Sequence, residues 1–436
     1  MGIVIGIRHE DKYKMERRSP IIPKHVERLV KHLNIDVIVQ SSEKRVFKNE
    51  EFLKAGARVA KNMKECPIIF GVKEIPLHVF EKGKTYVFFS HVVKGQKQNM
   101  PMLKKMMELK CNLIDYEKVV DEQNRRLIFF GRYAGLAGMI NSFWALGLRL
   151  RYYGYESRFL KMKQACHYNS LEEAKEDISA IGQLIAEAGC PSDLRPFTIG
   201  FTGYGNVSQG AQEIAGLIPI KEISPEKLLT LGNRKKLPDN IIYKVIFKEE
   251  HIAEPIDPSQ EFDLQDYYVN PHKYKGCFEK FIPHLSMLIN GMYWDKRYPK
   301  LITKEYIKKL YSNGRPKLNM IGDISCDIDG SVECTVKSTV IEDPIFVYNP
   351  FTQKVTSGYK GEGILDMAVD ILPSELPRDA SSGFSDVLVN FVKPIAIADY
   401  NLSYEEIDLP RAIKKALILL NGKLTPAYKY LEEFIK

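Results

Sequence analysis

The sequence has no apolar run of about 18 residues, which is the length that a membrane-spanning helix requires. It has seven cysteines, an odd number, and no Cys-x-x-Cys pair, so neither a zinc site nor a disulfide framework is indicated. Low-complexity tracts and internal repeats are also lacking. These absences argue against membrane, disulfide-rich and repeat proteins. We expect a cytoplasmic protein with reduced thiols and no bound metal.

The charge is modest and widely spread. The net charge is +8 over 436 residues, and the basic residues form no stripe interleaved with aromatic side chains. Nucleic-acid binding is therefore not expected. A mild positive excess suits an enzyme that attracts phosphates and carboxylates, and it equally suits an ordinary basic surface. No secretory signal or organelle presequence is recognisable at the N-terminus, which again favours the cytoplasm.

Length and hydrophobic periodicity predict an α/β protein with two domains. At 436 residues and 44% apolar content the chain can bury two cores. Short apolar runs alternate with amphipathic stretches, which is typical of parallel sheets covered by helices. The expected strands are 3–7, 35–39, 67–72, 86–89, 113–116, 127–130, 198–202, 241–247, 285–289 and 318–324, and the main expected helices are 25–33, 102–109, 135–153 and 171–188.

A glycine-rich turn at 198–211 is the most informative motif. A buried strand breaks at Gly203 and Gly205 and passes directly into a helix that Asn206 and Val207 open. Such a turn presents backbone N–H groups and a positive helix N-terminus to a pyrophosphate. Ser208 stands where a third glycine is expected, and Gly210 comes two residues later, so a tight structural turn remains the alternative.

The next strand is expected to end near 220–224, about 20 residues further on, where an NAD site usually has a carboxylate. Ser224 occupies the expected tip, Glu222 lies slightly early, and Arg234 begins a basic triplet downstream. This pattern favours NADPH over NADH, with NAD as the alternative. The basic triplet also suits a solvated loop.

Lys73 and His91 each lie at the end of an apolar predicted strand, and the carboxyl ends of such strands border the ligand sites of open α/β sheets. Both side chains can transfer protons near neutral pH when the environment adjusts them. Glu74 and Glu117 also lie near strand ends and could tune the pair by charge. Capping or surface roles remain open for all four residues.

Arg18 and Arg126 are candidates for binding substrate carboxylates, because a guanidinium group can hold a carboxylate with two hydrogen bonds. Surface ion pairing is the alternative for both. Asp323 ends another predicted strand and could face the nicotinamide end of a dinucleotide, although a role in a turn suits it equally well.

Several motifs, in chain order, resemble the saccharopine-metabolising branch of the alanine dehydrogenase superfamily. They lie at 16–23, 71–76, 88–91, 115–117, 131–138, 322–327 and 371–381. Within that branch, the segments 201–212, 289–295 and 299–303 are most similar to the lysine–ketoglutarate reductase part of α-aminoadipic semialdehyde synthases. They are less similar to the fungal lysine-forming saccharopine dehydrogenases.

The resemblance implies two Rossmann-like domains with parallel sheets, the first completed by the C-terminal segment, and an active site in the cleft between them. The expected substrate domain is 1–138 plus 350–436, and the expected dinucleotide-binding domain is 139–349. The implied roles are proton transfer by Lys73 and His91, modulation by Glu74 and Glu117, substrate binding by Arg18 and Arg126, and cofactor contact by Gly203, Gly205 and Asp323.

The implied reaction is reductive condensation of L-lysine with 2-oxoglutarate to saccharopine, with NADPH, in lysine degradation. The alternatives are an NAD-dependent, lysine-forming saccharopine dehydrogenase and a non-catalytic nucleotide sensor. The expected partners are these small molecules and a saccharopine dehydrogenase domain, fused or associated, because the animal proteins of this family continue into one. The animal proteins are also mitochondrial. Homo-oligomerisation is left open.

Overall fold

The structure, a computed structural model, describes residues 2–232 and 237–435. The chain forms two compact α/β units. The first unit comprises Met1–Phe130 and Pro377–Lys436, and the second comprises Gly131–Leu376. The chain therefore leaves the first unit once and returns to it.

Both units consist of short strands connected by helices and turns. In the described residues the strands are β1 (Ile3–Ile7), β2 (Ile35–Gln40), β3 (Arg58–Ala60), β4 (Ile68–Phe70), β5 (Thr85–Phe88), β6 (Asn112–Asp115), β7 (Thr198–Thr202), β8 (Ile220–Glu222), β9 (Ile242–Phe247), β10 (Ala253–Pro255), β11 (Tyr274–Gly276), β12 (Met287–Asn290), β13 (Met320–Asp323), β14 (Ile345–Tyr348), β15 (Val355–Ser357), β16 (Ile364–Met367), β17 (Leu417–Leu420) and β18 (Lys423–Leu424). The α-helices are α1 (Pro23–Leu33), α2 (Asn49–Lys54), α3 (Met100–Glu108), α4 (Gly131–Tyr152), α5 (Leu171–Ala188), α6 (Asn206–Ala215), α7 (Pro225–Leu231), α8 (Glu249–Ile252), α9 (Leu264–Val269), α10 (Lys304–Ser312), α11 (Pro377–Ile397), α12 (Arg411–Ala416) and α13 (Glu432–Ile435).

The first unit is built on an eight-stranded sheet in the order β18-β17-β6-β5-β4-β1-β2-β3. Strands β1 to β6 run parallel, and β17 pairs antiparallel with β6. The parallel part has the strand order of a Rossmann fold. The C-terminal segment therefore completes the first sheet, as the sequence predicted.

Helix α11 anchors the returning segment to α1 through buried hydroxyl groups. The Oγ of Ser385 accepts from the backbone N–H of Ile22 at 3.1 Å and lies 2.6 Å from Nδ1 of His25. The Oγ of Ser381 accepts from the backbone N–H of Ser19 at 2.9 Å. Apolar side chains of both segments share one core, so the two parts of this unit fold together.

The second unit has an eight-stranded sheet in the order β15-β14-β16-β13-β12-β7-β9-β8. Six strands run parallel, whereas β14 and β15 are antiparallel additions. Strand β9, not β8, is the neighbour of β7. The longer and mostly buried β9 takes the inner position, and the short polar sequence Ile-Lys-Glu of β8 lies at the sheet edge, where charge discourages further pairing.

The boundaries between the two compact units lie between residues 130 and 131 and between residues 376 and 377. The sequence predicted these boundaries at 138/139 and 349/350. Residues 350–376 lie in the second unit because the buried strand β16 pairs with both β13 and β14. The functional assignment of the two domains and the cleft stay predictions.

The expected strand at 127–130 is wrong. Leu127 donates a backbone hydrogen bond to the Val119 carbonyl within a turn, and Phe130 stacks on Phe384 with ring centroids 4.5 Å apart. This apolar run fills the core of the first unit and adds no strand to the sheet.

Within residues 2–232 and 237–435, no helix is both long and apolar enough to cross a bilayer. The same part of the chain holds no group of three or more His, Cys, Asp or Glu side chains arranged to bind a metal ion.

Candidate functional site

The first unit gathers the predicted acid–base residues at one sheet edge. Lys73 and Glu74 come after β4, His91 after β5, and Glu117 after β6. Because β4, β5 and β6 are parallel neighbours, their carboxyl ends lie side by side. The sequence predicted ionisable residues near the ends of three strands, and the structure brings those residues to the same edge of the first sheet.

His91 and Glu74 are in direct contact. The Nδ1 atom of His91 lies 2.8 Å from Oε1 of Glu74, and the Nζ of Lys12 lies 2.6 Å from the same oxygen. Burial opposes ionisation of Glu74, but the hydrogen bonds and charges of His91 and Lys12 outweigh it and lower its pKa to about 2. The carboxylate is therefore ionised at neutral pH, so Nδ1 must donate to it, and Nε2 is the atom left to exchange protons.

Glu10 fixes the backbone that carries Lys73. Its buried carboxylate accepts from the backbone N–H of Val72 at 2.8 Å and from that of Lys73 at 2.9 Å. Burial raises the pKa of Glu10, and the Arg8 guanidinium opposes that rise. The sequence reading missed Glu10 and Lys12, although both come soon after β1, the strand that pairs with β4 at the same sheet edge.

Arg18 is already engaged within the protein. Its side chain is buried, Nε donates to Oε1 of Glu16 at 2.8 Å, and the guanidinium covers the Phe130 ring at 4.1 Å. Burial opposes ionisation of Glu16, yet Arg18, aided by Lys73, lowers its pKa. Two guanidinium nitrogens of Arg18 thus face Glu16, and substrate binding by Arg18 stays a prediction.

Arg126 is more accessible. Its side chain is 52% exposed, and Nη2 donates to the carboxylate of Glu117. The backbone N–H of Glu117 donates in turn to Asp115 at 2.8 Å, and Asp115 also accepts from both the N–H and the hydroxyl of Ser90. Complete burial raises the pKa of Asp115 to about 6. This network joins the ends of β5 and β6.

In the second unit the glycine turn has the form that a pyrophosphate needs. Gly203 has φ +79°, in the left-handed region, and a Cβ there would meet Met292 at 3.1 Å. Gly205 is the N-cap of α6 and makes no side-chain cap, and a Cβ built on it would meet nothing within 4 Å. No side-chain cap occupies the N-terminal amides of α6 around Asn206 and Val207, and amides at such a helix N-terminus suit a phosphate group.

Gly210 supplies the close packing that the third fingerprint glycine usually provides. A Cβ on Gly210 would lie 2.2 Å from the carbonyl oxygen of Arg132, and a Cβ on Gly135 would lie 1.9 Å from that of Val207. Helices α4 and α6 thus pack backbone to backbone. Ser208 is buried at the same level and accepts from the amide of Gln212 at 3.0 Å.

Ser224 follows the edge strand β8, which β9 separates from β7 in the sheet. Its Oγ caps α7 by accepting from the backbone N–H of Lys227 at 3.3 Å, and its contact with a cofactor stays a prediction. Arg234 falls outside the described residues. The strand that adjoins the turn is β9, because the N–H of Gly203 donates to the carbonyl of Phe247 at 3.1 Å.

Asp323 is fully buried at the end of β13. It accepts from Asn290 at 2.9 Å, from Ser325 at 2.6 Å and from Thr335 at 2.7 Å. The Thr335 hydroxyl also lies 2.7 Å from Asp366. Burial raises the pKa of Asp323, and it raises that of Asp366 with the help of the Asp323 charge, so a protonated Asp366 can donate to Thr335, which donates to Asp323. In the structure Asp323 orders strand ends, and contact with a cofactor stays a prediction.

Comparison with known proteins finds relatives that are similar to this chain over nearly its whole length. Residues 6–137 match the family described as alanine dehydrogenase/PNT, N-terminal domain. The chain is 38% identical to an alpha-aminoadipic semialdehyde synthase of Arabidopsis thaliana and 33% identical to the mitochondrial enzyme of Mus musculus, with 99% of the chain covered in both. It is 24% identical to the saccharopine dehydrogenase [NAD(+), L-lysine-forming] of Yarrowia lipolytica, with 89% of the chain and 90% of the relative covered.

The chain spans 42% of the Arabidopsis relative and 48% of the mouse relative, about half the length of the curated proteins it matches first. Among solved structures, an L-alanine dehydrogenase aligns over 99% of this chain and 100% of its own, with a TM-score of 0.63 and 17% identity. That likeness shows the fold, two Rossmann-like α/β units.

Proposed function

We propose that this chain is a lysine–2-oxoglutarate reductase of lysine degradation, an oxidoreductase that acts on a CH–NH bond. It joins L-lysine and 2-oxoglutarate into saccharopine with a nicotinamide dinucleotide. The observation that carries the proposal is the contact of His91 with the ionised Glu74 at the sheet edge that also bears Lys73. Similarity to alpha-aminoadipic semialdehyde synthases over 99% of the chain supports the choice of substrates.

The reaction demands protons at defined points. The ε-amine of lysine must be neutral to attack the keto carbon of 2-oxoglutarate, so its extra proton goes to a base. The resulting carbinolamine loses its oxygen as water, which requires an acid. The imine carbon then accepts two electrons, which bound NADH or NADPH would supply as a hydride.

His91 suits the base and acid steps. With Nδ1 held by Glu74, the ring has one orientation and one tautomer, and Nε2 can take the amine proton and return it to the leaving oxygen. Lys73 is held at its backbone by Glu10 and is the second proton-transfer group of the proposal. Since one positioned acid–base residue accelerates a reaction about 10²–10⁴-fold, both groups are worth testing singly.

Glu74 has a second task in this scheme. Its Oε2 atom is buried and receives no hydrogen bond from the described residues, whereas Oε1 binds His91 and Lys12. An amine of the substrate is the natural donor for that oxygen, because a buried carboxylate oxygen without a partner is costly.

Substrate carboxylates require cations. Arg126, which is half exposed and paired with Glu117, is the stronger candidate for binding a carboxylate, since a substrate can compete with Glu117 at the surface. In this scheme Arg18 forms an ion pair with Glu16, whose pKa Arg18 and Lys73 lower against the effect of burial. Arg18 acts on the substrate through its positive charge.

The turn at Gly203 and Gly205, with the amides of Asn206 and Val207, would hold the pyrophosphate of the dinucleotide. Asp323 supports the neighbouring strand ends through Asn290 and Thr335. The sequence favoured NADPH on the basis of Ser224 and Arg234. Ser224 caps α7 and Arg234 is not described, so neither supports that preference here.

A second candidate is the reverse, NAD-linked oxidation of saccharopine to lysine and 2-oxoglutarate. A carboxylate beside the glycine turn, that of Glu249, favours NAD over NADP and thereby this direction. A saccharopine dehydrogenase domain, fused or separate, remains a proposed partner that would consume saccharopine in the first direction. A non-catalytic nucleotide sensor is less favoured, because such a protein has no use for the pairing of His91 with Glu74.

The test is dinucleotide oxidation measured with lysine and 2-oxoglutarate together and with each omitted in turn, with the product identified by mass spectrometry. The proposal expects oxidation only in the complete mixture, and saccharopine as the product. Oxidation that is independent of lysine, or the absence of any oxidation with both dinucleotides, would refute it.

A further inference from the structure

The backbone of His91 adopts a conformation that few residues other than glycine take. Its φ is +49°, in the left-handed region, where the Cβ atom crowds the carbonyl oxygen and the fold loses free energy. Such a conformation persists only where surrounding contacts hold it. The side-chain amide of Asn99, a buried residue just before α3, donates to the carbonyl of His91 at 3.0 Å. This hydrogen bond fixes the peptide that follows His91.

Asp115 fixes the residue before His91. It is the last residue of β6, pairs with Phe88 of β5 and is fully buried. Its Oδ2 atom accepts from the backbone N–H of Ser90 at 3.1 Å and also from the Ser90 hydroxyl. Its Oδ1 atom accepts from the backbone N–H of Glu117 at 2.8 Å. One carboxylate thus joins the loop that carries His91 to the residues that follow β6.

We propose that Asp115 is a positioning residue for proton transfer by His91, an inference that rests on the proposed function. Asp115 and Asn99 hold the backbone on the two sides of His91, and Glu74 holds Nδ1 of its ring. Because a misplacement of about 1 Å can slow a reaction about 10²-fold, releasing one of these contacts should lower kcat. In this scheme Asp115 touches no substrate and acts only through His91.

The three hydrogen bonds to Asp115 require an ionised carboxylate. Burial raises the pKa of Asp115 to about 6, although the hydrogen bonds from Ser90 and from the backbone of Glu117 oppose that rise. The charge of Glu117 raises this pKa further, and that of His91 lowers it. Above about pH 6 the carboxylate accepts from all three donors. Below it, one oxygen carries a proton and the Ser90 N–H loses its acceptor.

Two phenols also interact with Asp115. They belong to Tyr116, the next residue, and to Tyr428, from the C-terminal segment. Burial raises the pKa of both, so both are neutral throughout the physiological range. Their charge therefore does not change as Asp115 titrates.

The experiment measures kcat and KM of the full chain for lysine-dependent dinucleotide oxidation from pH 5 to pH 8. Asp115→Asn keeps the shape of the side chain but leaves one acceptor oxygen, as protonation does. At pH 8 the wild-type kcat should exceed that of Asp115→Asn at least about tenfold, with KM for lysine changed less than about threefold. The ratio of the two kcat values cancels ionisations that both proteins share. It should fall toward 1 as the pH drops through about 6.

A second variant moves that transition, and a control should not change kcat. Ser90→Ala removes a hydrogen bond that lowers the pKa of Asp115, so its kcat relative to Asp115→Asn should begin to fall at a higher pH than that of the wild-type chain. The matched control is Asp257→Asn in the second unit. The exposed Asp257 accepts from the N–H of Ser259 at 3.0 Å and from its hydroxyl at 2.8 Å, and its replacement should leave kcat unchanged at every pH.

Full kcat in Asp115→Asn at pH 8 would overturn the role of Asp115 and leave the proposed function standing. A loss that stays constant from pH 5 to pH 8, a rise in KM with unchanged kcat, an unshifted transition in Ser90→Ala, or an equal loss in Asp257→Asn would have the same consequence.

Amide hydrogen exchange without substrates needs no turnover. At pH 7 the segment 89–91 should exchange at least about tenfold faster in Asp115→Asn than in the wild-type chain. Unchanged exchange would show that Asp115 does not hold Ser90 and would overturn the proposal even in an inactive chain. Absence of lysine-dependent oxidation in the wild-type chain would refute the proposed function and, with it, this role of Asp115.

Discussion

The Nδ1 atom of His91 lies 2.8 Å from Oε1 of Glu74, and Lys12 binds the same oxygen from the other side at 2.6 Å. Burial raises the pKa of this carboxyl, but the hydrogen bonds from His91 and Lys12 outweigh burial and lower the pKa to about 2. Glu74 is therefore an anion throughout the physiological range, and His91 has a fixed orientation as a result.

Glu74→Gln should lower kcat at least about tenfold, because the amide no longer requires a proton on Nδ1 and the ring loses its single tautomer. Dinucleotide affinity should be unchanged, since the groups proposed to hold the pyrophosphate are the glycine turn and the amides of Asn206 and Val207. Steady-state kinetics with a separate binding titration would distinguish the two effects. Glu122→Gln, a change at a side chain that is 77% exposed, is the control, and equal losses in both variants would contradict the role of Glu74.

His91→Gln and Lys73→Met should each lower kcat by about 10²–10⁴-fold, since each removes one proton-transfer group. Both variants should unfold at the same denaturant concentration as the wild-type chain within error, because neither side chain is fully buried. Full steady-state activity in either folded variant would remove that residue from the proposed chemistry.

Two glycines near the turn should differ in how much their replacement by alanine lowers the free energy of unfolding. Gly210→Ala places a Cβ 2.2 Å from the Arg132 carbonyl and should lower the free energy of unfolding by about 1–3 kcal/mol. Gly205→Ala meets no atom within 4 Å and should change it by less than about 1 kcal/mol.

Dinucleotide binding by Gly205→Ala should change much more than its stability does. Gly205→Ala should weaken it about tenfold or more, because the methyl group occupies the approach to the α6 amides. Urea denaturation and fluorescence titration on the same preparations measure both effects. If Gly205→Ala binds dinucleotide as the wild-type chain does, the turn is not the phosphate site.

Glu375 should make stability depend on pH. It is fully buried and accepts from Asn141 at 2.6 Å and from the backbone N–H of Cys166 at 3.2 Å, yet burial raises its pKa from 4.5 to about 7. Between these values the folded chain holds a proton that the unfolded chain has released. Its contribution is therefore present in full below about pH 4.5 and is lost as the pH rises through 7.

Glu375→Gln removes this titration, so its free energy of unfolding relative to the wild-type chain should rise between pH 5 and pH 8. Urea denaturation at several pH values measures the difference. Glu187→Gln, an exposed position on α5, should show a constant difference. A difference for Glu375→Gln that stays constant or falls with pH would show that the carboxyl is ionised in the folded chain throughout this range.

The sequence predicted most of the parallel strands, the glycine turn and the common edge for Lys73, Glu74 and His91, because each of these features depends on a short apolar run and the residues directly after it. It did not predict that β9 lies between β7 and β8, because the order of strands in a sheet depends on contacts between segments that are distant in sequence. Ser224 follows the edge strand β8 and caps α7, and its contact with the ribose stays a prediction.

Contacts between residues distant in sequence could not be predicted either. Glu10 lies 63 positions from Lys73, whose backbone it binds, and Asp366 lies 31 positions from Thr335. Arg18 was a candidate for a substrate carboxylate, with ion pairing as the alternative, and the structure shows it paired with Glu16, two residues away. The C-terminal return to the first unit was predicted, but strand β16 showed that the return begins at residue 377, after an additional strand pair.

Hydride transfer tests the central claim most directly. The chain is given NADH or NADPH carrying deuterium at the transferable C4 position, together with lysine and 2-oxoglutarate, and the product is examined by mass spectrometry. The account predicts saccharopine that is one mass unit heavier, with the label on the carbon that was the keto carbon of 2-oxoglutarate. Unlabelled saccharopine, labelled glutamate, or dinucleotide oxidation without lysine would contradict it.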